Sequence, residues 1–146
     1  MAAQIGKIGC AMNRFFRKRM AGITLMELMI VLVIIAILVS IAYPSYIKYV
    51  RKSKRGEAQQ LLLNWAINQE IYRSNNPTYA DTDALPAPTN DNYSFDFAVD
   101  PTATVYTLQA TASGDQANDK SRDNTVTCSP LTLNQNGVKS PAACWE

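Results

Sequence analysis

KRMAGITLMELMIVLVIIAILVSIAYPSY, residues 18–46, holds one carboxylate, Glu27, near the start of a long apolar run. A charged side chain at the centre of a bilayer costs about 2.5–3.5 kcal/mol even on lenient insertion scales. Such a residue points to function, and its partner has to be found. Residues 28–39 carry no polar side chain, and between Ile23 and Tyr43 only Thr24, Glu27 and Ser40 are polar apart from the tyrosine hydroxyl. Those 21 residues are long enough, as a helix, to cross roughly 30 Å of hydrocarbon. Beyond them the chain turns polar, rich in Asn, Thr, Asp, Ser and Pro. The plan is a membrane-length helix followed by one modest domain in a chain of 146 residues.

The net charge of +2 hides an asymmetry. Residues 1–22 carry Lys7, Arg14, Arg17, Lys18 and Arg19 with no acidic group, while residues 23–146 carry nine basic and twelve acidic groups, a net of −3. A second basic cluster, Lys48, Arg51, Lys52, Lys54 and Arg55, follows the apolar run. The acidic remainder argues against a general nucleic-acid surface on the domain. The chain has no histidine, which removes the usual general base and the commonest metal ligand. With no nucleophile motif either, an enzyme is not expected, and neither a cofactor nor a metal is.

Cys128 and Cys144 lie sixteen positions apart without zinc-like spacing, and Cys10 lies on the other side of the apolar run. A Cys128–Cys144 disulfide fits an oxidising compartment; two buried thiols are the alternative. The basic residues on the two sides of the helix tie by the positive-inside count. The expected disulfide breaks the tie, leaving the N-terminus cytoplasmic and the C-terminal part outside. An ordinary secretory signal ends in a cleavage site beyond its apolar core. Here Ala21-Gly22 precedes the core, so a cut after Gly22 leaves the hydrophobic segment in place and creates a new amine on Ile23.

GITLMELMIVLVIIAILVSIAYPSY resembles the prepilin signature of type IV pilins: Gly, an apolar residue, Thr, Leu, any residue, Glu, Leu, then an unbroken apolar run. The resemblance implies cleavage after Gly22 by a prepilin peptidase that also N-methylates Ile23, a position where the family usually has Phe. It implies that Glu27, with Thr24 beside it, serves assembly: Glu27 meets the methylated amine of a neighbouring subunit in the filament. Within one helix Ile23 and Glu27 would also share a face as i and i+4. Met12 opens an 11-residue leader with four basic residues, and translation is expected to start there, leaving Cys10 outside the cellular product.

Pro44 removes a hydrogen bond and crowds the preceding turn. A kink or loosened helix near Ile41–Pro44 is expected rather than a stop, because helical periodicity resumes. Ala58, Leu61, Leu62, Trp65 and Tyr72 form one stripe, and Leu63, Ile67 and Ile71 an opposite one. Two stripes imply two buried sides: one on the domain's own sheet, the other on the connecting loop or on neighbouring subunits. The run Lys48–Arg55 reads as a headgroup-facing or solvated segment, with electrostatic contacts to acidic neighbours in a filament as the alternative. Residues 75–92 read as loop. Tyr93, Phe95, Phe97 and Val99 alternate onto one face of a first strand, and Tyr106, Leu108 and Ala110 onto one face of a second. Residues 113–124 read as a polar loop whose carboxylates lack EF-hand spacing. A third strand leads to a turn at Asn136-Gly137.

The end of the chain, TVTCSPLTLNQNGVKSPAACWE, is similar to the ends of PilE-type minor pilins. The implied fold is α+β: a long N-terminal helix, half of it hydrophobic, packed on a small antiparallel sheet with a C-terminal loop bounded by the disulfide. The expected segments are a leader (1–22), an apolar helix that spans the membrane before assembly (23–44), an amphipathic half (45–74), and loop, sheet and disulfide region (75–146). The implied role is a structural subunit of a type IV pilus, a minor pilin for assembly or initiation that supports twitching motility and attachment. A major pilin, a DNA-uptake or adhesive pilin, and a type II secretion pseudopilin are the alternatives. The implied partners are other pilins, the prepilin peptidase, the inner-membrane assembly platform and the membrane itself; few basic residues outside the helix run support nucleic-acid binding. The implied location is the inner membrane with a periplasmic domain, then the extracellular pilus.

Overall fold

The computed structural model describes residues 22–145. Cys10, Met12 and the five leader cations therefore lie outside the described residues. One helix, α1, runs Leu25–Asn75. Thr24 precedes it, and the Thr24 hydroxyl accepts a hydrogen bond from the Glu27 backbone N–H at 3.1 Å. That is half of a Thr-x-x-Glu capping box, which satisfies a donor the first turn would otherwise leave unpaired. The helix ends where Asn76 Nδ2 donates to the Tyr72 carbonyl and Arg73 Nη1 to the Asn76 carbonyl, just before Pro77, which cannot continue the hydrogen-bond ladder. Pro44 sits inside the helix, so it is not a stop.

The chain divides into two compact units, one ending at Leu38 and the other Val39–Glu146. In the first, the helix residues are exposed along their whole length, as expected of a segment built for lipid or for other chains. In the second, four antiparallel strands pair in sequence order: β1 Tyr93–Val99, β2 Thr107–Ala112, β3 Leu131–Asn134 and β4 Lys139–Ser140. Short 3₁₀ turns occupy Gly114–Asn118 and Ala142–Cys144. Gly137 has φ +74°, a left-handed conformation that glycine adopts without a Cβ clash. It closes the β3–β4 hairpin, where the Asn134 side chain accepts from the Asn136 and Val138 backbone N–H groups.

The core forms between Ala58, Leu62 and Trp65 of α1 and Tyr93, Tyr106, Leu108, Ala110 and Leu131 of the sheet. Trp65 packs on Phe97 with ring centroids 4.9 Å apart. Cys128 and Cys144 form the expected disulfide, with both residues buried. Gln69 is buried too, its amide donating to the Ala80 carbonyl and accepting from the Ala80 N–H, both at 2.9 Å. This pair of hydrogen bonds holds the 76–92 loop to the helix.

Three expectations change. Val99 does not face inward with Phe97, because the β1–β2 register slips between them and Val99 stays exposed. The second helix stripe, Leu63, Ile67 and Ile71, remains exposed among the described residues, so of its two expected covers the connecting loop is not the one. The 113–124 segment is not a solvated loop: it folds partly as 3₁₀ helix and buries Gln116, Asp119 and Ser121.

Candidate functional site

Two regions carry the chemistry. The first is the start of the helix. Gly22 and Ile23 are exposed and lie ahead of the cap at Thr24. Thr24 has a role in the subunit itself, as the N-cap. Glu27 follows in the first turn, its side chain exposed. Because α1 starts at Leu25, Ile23 is outside the helix. The helical i, i+4 geometry expected for Ile23 and Glu27 is therefore absent. Cys128 and Cys144 belong to the other unit, and Pro44 to the helix just after its division from the first.

The second region was not assembled from the sequence. Lys48, Arg51, Lys52 and Arg55 line one wall of a groove of about 690 Å³; Asn118–Arg122 with Asn124 line the other, beside Ala143. The helix wall follows from spacing: i, i+3, i+4 and i+7 share one helical face. That spacing was visible in the sequence, but nothing in it announced that Lys120 and Arg122 would fold opposite.

Two ion pairs tie the helix to Asp115 and Asp119. Arg51 grips Asp115 with both prongs of its fork, Nη2 to Oδ1 at 2.7 Å and Nε to Oδ2 at 3.1 Å. This contact holds the Asp115 carboxyl below the usual carboxylate range. Arg55 is buried, its Nη1 donating to Asp119 Oδ2 at 2.7 Å, to the Lys120 carbonyl at 3.1 Å and to Cys128 Sγ at 3.1 Å. Burial pushes the Asp119 carboxyl up, against the pull of Arg55. Gln116 adds a third tie, its amide donating to the Arg51 carbonyl and the Tyr93 hydroxyl.

The 121–126 turn is fixed by Asp123, which accepts from the hydroxyls of Ser121 and Thr125; these bonds lower its carboxyl from the usual range. With Asp115 and Asp119 each matched to an arginine, the Lys48, Lys52, Lys120 and Arg122 side chains have no anionic partner among the described residues. The groove therefore presents four free cations around a neutralised floor, an arrangement suited to phosphate groups. Among the described residues no group of three or more His, Cys, Asp or Glu side chains is placed to hold a metal ion.

Comparison with known proteins gives two family profiles. One is described as "Type IV minor pilin ComP, DNA uptake sequence receptor" and matches residues 44–132. The other, the prokaryotic N-terminal methylation motif, matches residues 17–43. No curated protein matches the chain. Among solved structures, the non-core minor pilin PilV of Neisseria meningitidis is similar at 22% identity and a TM-score of 0.50, over 64% of this chain and 87% of that one. A type IV pilin from Shewanella oneidensis is similar at 26% identity and a TM-score of 0.48, over 66% of this chain and 98% of that one.

Proposed function

Because the chain belongs to the type IV minor pilin ComP family and is thereby a structural subunit of a type IV pilus, we propose that it is a minor subunit serving pilus assembly or initiation, and through it twitching motility and attachment. A prepilin peptidase cuts after Gly22 and methylates Ile23. Residues 23–44 hold the subunit in the inner membrane, domain on the periplasmic side, until the assembly platform passes it into the filament. The observation that carries this reading is the apolar helix itself, exposed from Leu25 to Ile41 and needing lipid first and neighbouring helices afterwards.

Glu27 and the new amine then serve each other. Each is expensive alone in low dielectric, and pairing between subunits offsets much of that desolvation; leaving one unpaired costs about 3–5 kcal/mol. Glu27→Ala is therefore cleaved normally but enters filaments poorly. Quantitative mass spectrometry of sheared pili tests both parts: trace abundance supports a minor subunit, dominance a major one, and normal incorporation of the Glu27 variant rejects its role.

A DNA-uptake role is a second reading, supported by the four free cations of the groove and by the receptor named in the matching profile. Four phosphate contacts give a slope of log affinity against log salt of about −3.6 on duplex DNA. A gel shift of the processed subunit across salt concentrations tests it, and no shift at low salt rejects it.

A further inference from the structure

On α1, Lys48 and Lys52 of the groove follow Tyr43 by five and nine residues. Tyr43, Tyr46 and Tyr49 are 62%, 63% and 73% exposed and mark the boundary, since exposed tyrosines concentrate at the level of lipid headgroups. At 1.5 Å per residue, Lys48 lies about 8 Å and Lys52 about 14 Å along the axis from Tyr43. Side chains on a helix lean toward its N-terminus, here the membrane side, and lysine and arginine extend their charge along that direction. Lys48 and Lys52 thus extend toward the headgroup layer, which adds roughly 5–8 Å to each face of the hydrocarbon.

We propose that the groove between Lys48–Arg55 and Asn118–Asn124 binds the phosphate of an anionic glycerophospholipid headgroup while the subunit waits in the membrane. The inference rests on the reading that residues 23–44 span the bilayer before assembly. It takes the four free cations as the contacts: Lys48 and Lys52 from the helix, Lys120 and Arg122 from the opposite wall. Asp115 and Asp119 do not repel the phosphate, being matched to Arg51 and Arg55. A volume of about 690 Å³ falls in the range of small-ligand sites, which suits one headgroup better than a nucleic-acid duplex. The two-walled build distinguishes this from a polybasic stretch lying on a surface: lipid preference depends on the loop as much as on the helix.

The test uses the processed full chain in nanodiscs of phosphatidylcholine alone or with one part in five phosphatidylglycerol. Acylation of Lys48, Lys52 and Lys120 is read by peptide mass spectrometry, and headgroup preference by native mass spectrometry from an equal mixture of the two lipids. All three lysines are expected to be protected in the phosphatidylglycerol discs. Each cation near an anionic surface favours binding about fivefold, so Lys120→Gln with Arg122→Gln lowers the preference roughly 25-fold. Tryptophan fluorescence checks that this variant keeps its fold. Failure to insert into either disc overturns the membrane-spanning premise. Insertion with equal acylation in the two discs overturns the groove proposal, as does an undiminished preference in the double variant. Protection of Lys120 by a short DNA duplex, stronger than by phosphatidylglycerol, assigns the groove to DNA instead.

Discussion

Replacing Arg55 by Met is the sharpest perturbation of the domain. Arg55 and Asp119 are 5% and 4% exposed and meet at 2.7 Å. Removing the guanidinium leaves a buried carboxylate without its partner, a loss of about 3–5 kcal/mol, and leaves the Lys120 carbonyl without the donor it now has. Unfolding can be followed in the full chain in mild detergent, because Trp65 and Trp145 both lie in the Val39–Glu146 unit and their fluorescence reports on that unit. A fall in Tm of more than about 10 °C is expected. Combining Arg55→Met with Asp119→Leu removes both charges, so only the unpaired Lys120 carbonyl remains, and the loss returns to about 1–3 kcal/mol. Burial already pushes the Asp119 carboxyl up in the parent; in Arg55→Met it loses the opposing cation as well, so its folded pKa rises further above its unfolded value. Its stabilising contribution is then complete below that unfolded value, near 3.9, and is lost as pH rises through the folded one. The defect should therefore shrink as pH falls toward that unfolded value. A single-variant loss below about 1 kcal/mol, or a double variant as damaged as the sum of the singles, refutes the buried pair.

Other outcomes follow from the same structure. Leu62→Ala, at a fully buried site, loses about 2–5 kcal/mol in the same fluorescence assay. Ile67→Ala on the exposed stripe changes stability by no more than about 0.5 kcal/mol, yet lowers abundance in sheared pili; unaltered incorporation rejects that stripe as a contact between subunits. Cys144→Ser opens the sixteen-residue span to Cys128 and loses about 3 kcal/mol in the chain-entropy treatment, and an unchanged Tm rejects it. The Asp123 carboxyl is depressed by the Ser121 and Thr125 hydroxyls, so its stabilisation is present above the unfolded value near 3.9 and lost as pH falls through the lower folded one. Asp123→Asn should flatten the stability curve below about pH 4, and an acid limb identical to the parent contradicts this.

Much of the fold was legible because its signals are local. The apolar run, the alternation in β1 and β2, the Asn136-Gly137 turn and the paired cysteines each act over a few residues. The Thr24–Glu27 cap was legible too, as a Thr-x-x-Glu spacing, although the motif drew attention to assembly rather than to the helix terminus. What escaped was non-local polar pairing. Asp115, Asp119, Lys120 and Arg122 look like any hydrophilic loop, since composition does not tell which charges will meet a helix 64 positions earlier. The slip at Val99 escaped for a similar reason: alternation continues in sequence while the β1–β2 register does not.

The groove and the core are one helical face. Lys48, Arg51, Lys52 and Arg55 continue at three- and four-residue steps into Ala58, Leu62, Trp65 and Gln69, of which Arg55 onward are buried. Along that face the residue type changes with what covers it: apolar under the sheet, an arginine bound to Asp119 and Cys128 Sγ at the edge of cover, then cations where only the 118–124 segment stands opposite. Continuing the apolar stripe through residues 48–55 would have joined it to the exposed run ending at Tyr43. On the proposed reading, the bilayer would then draw the groove into hydrocarbon, where a single charge costs about 2.5–3.5 kcal/mol. On the same reading, four free cations reverse that preference and favour the headgroup level. One face of α1 thus supplies the domain's core and the cations of the groove, while Leu63, Ile67 and Ile71 on the other face stay exposed.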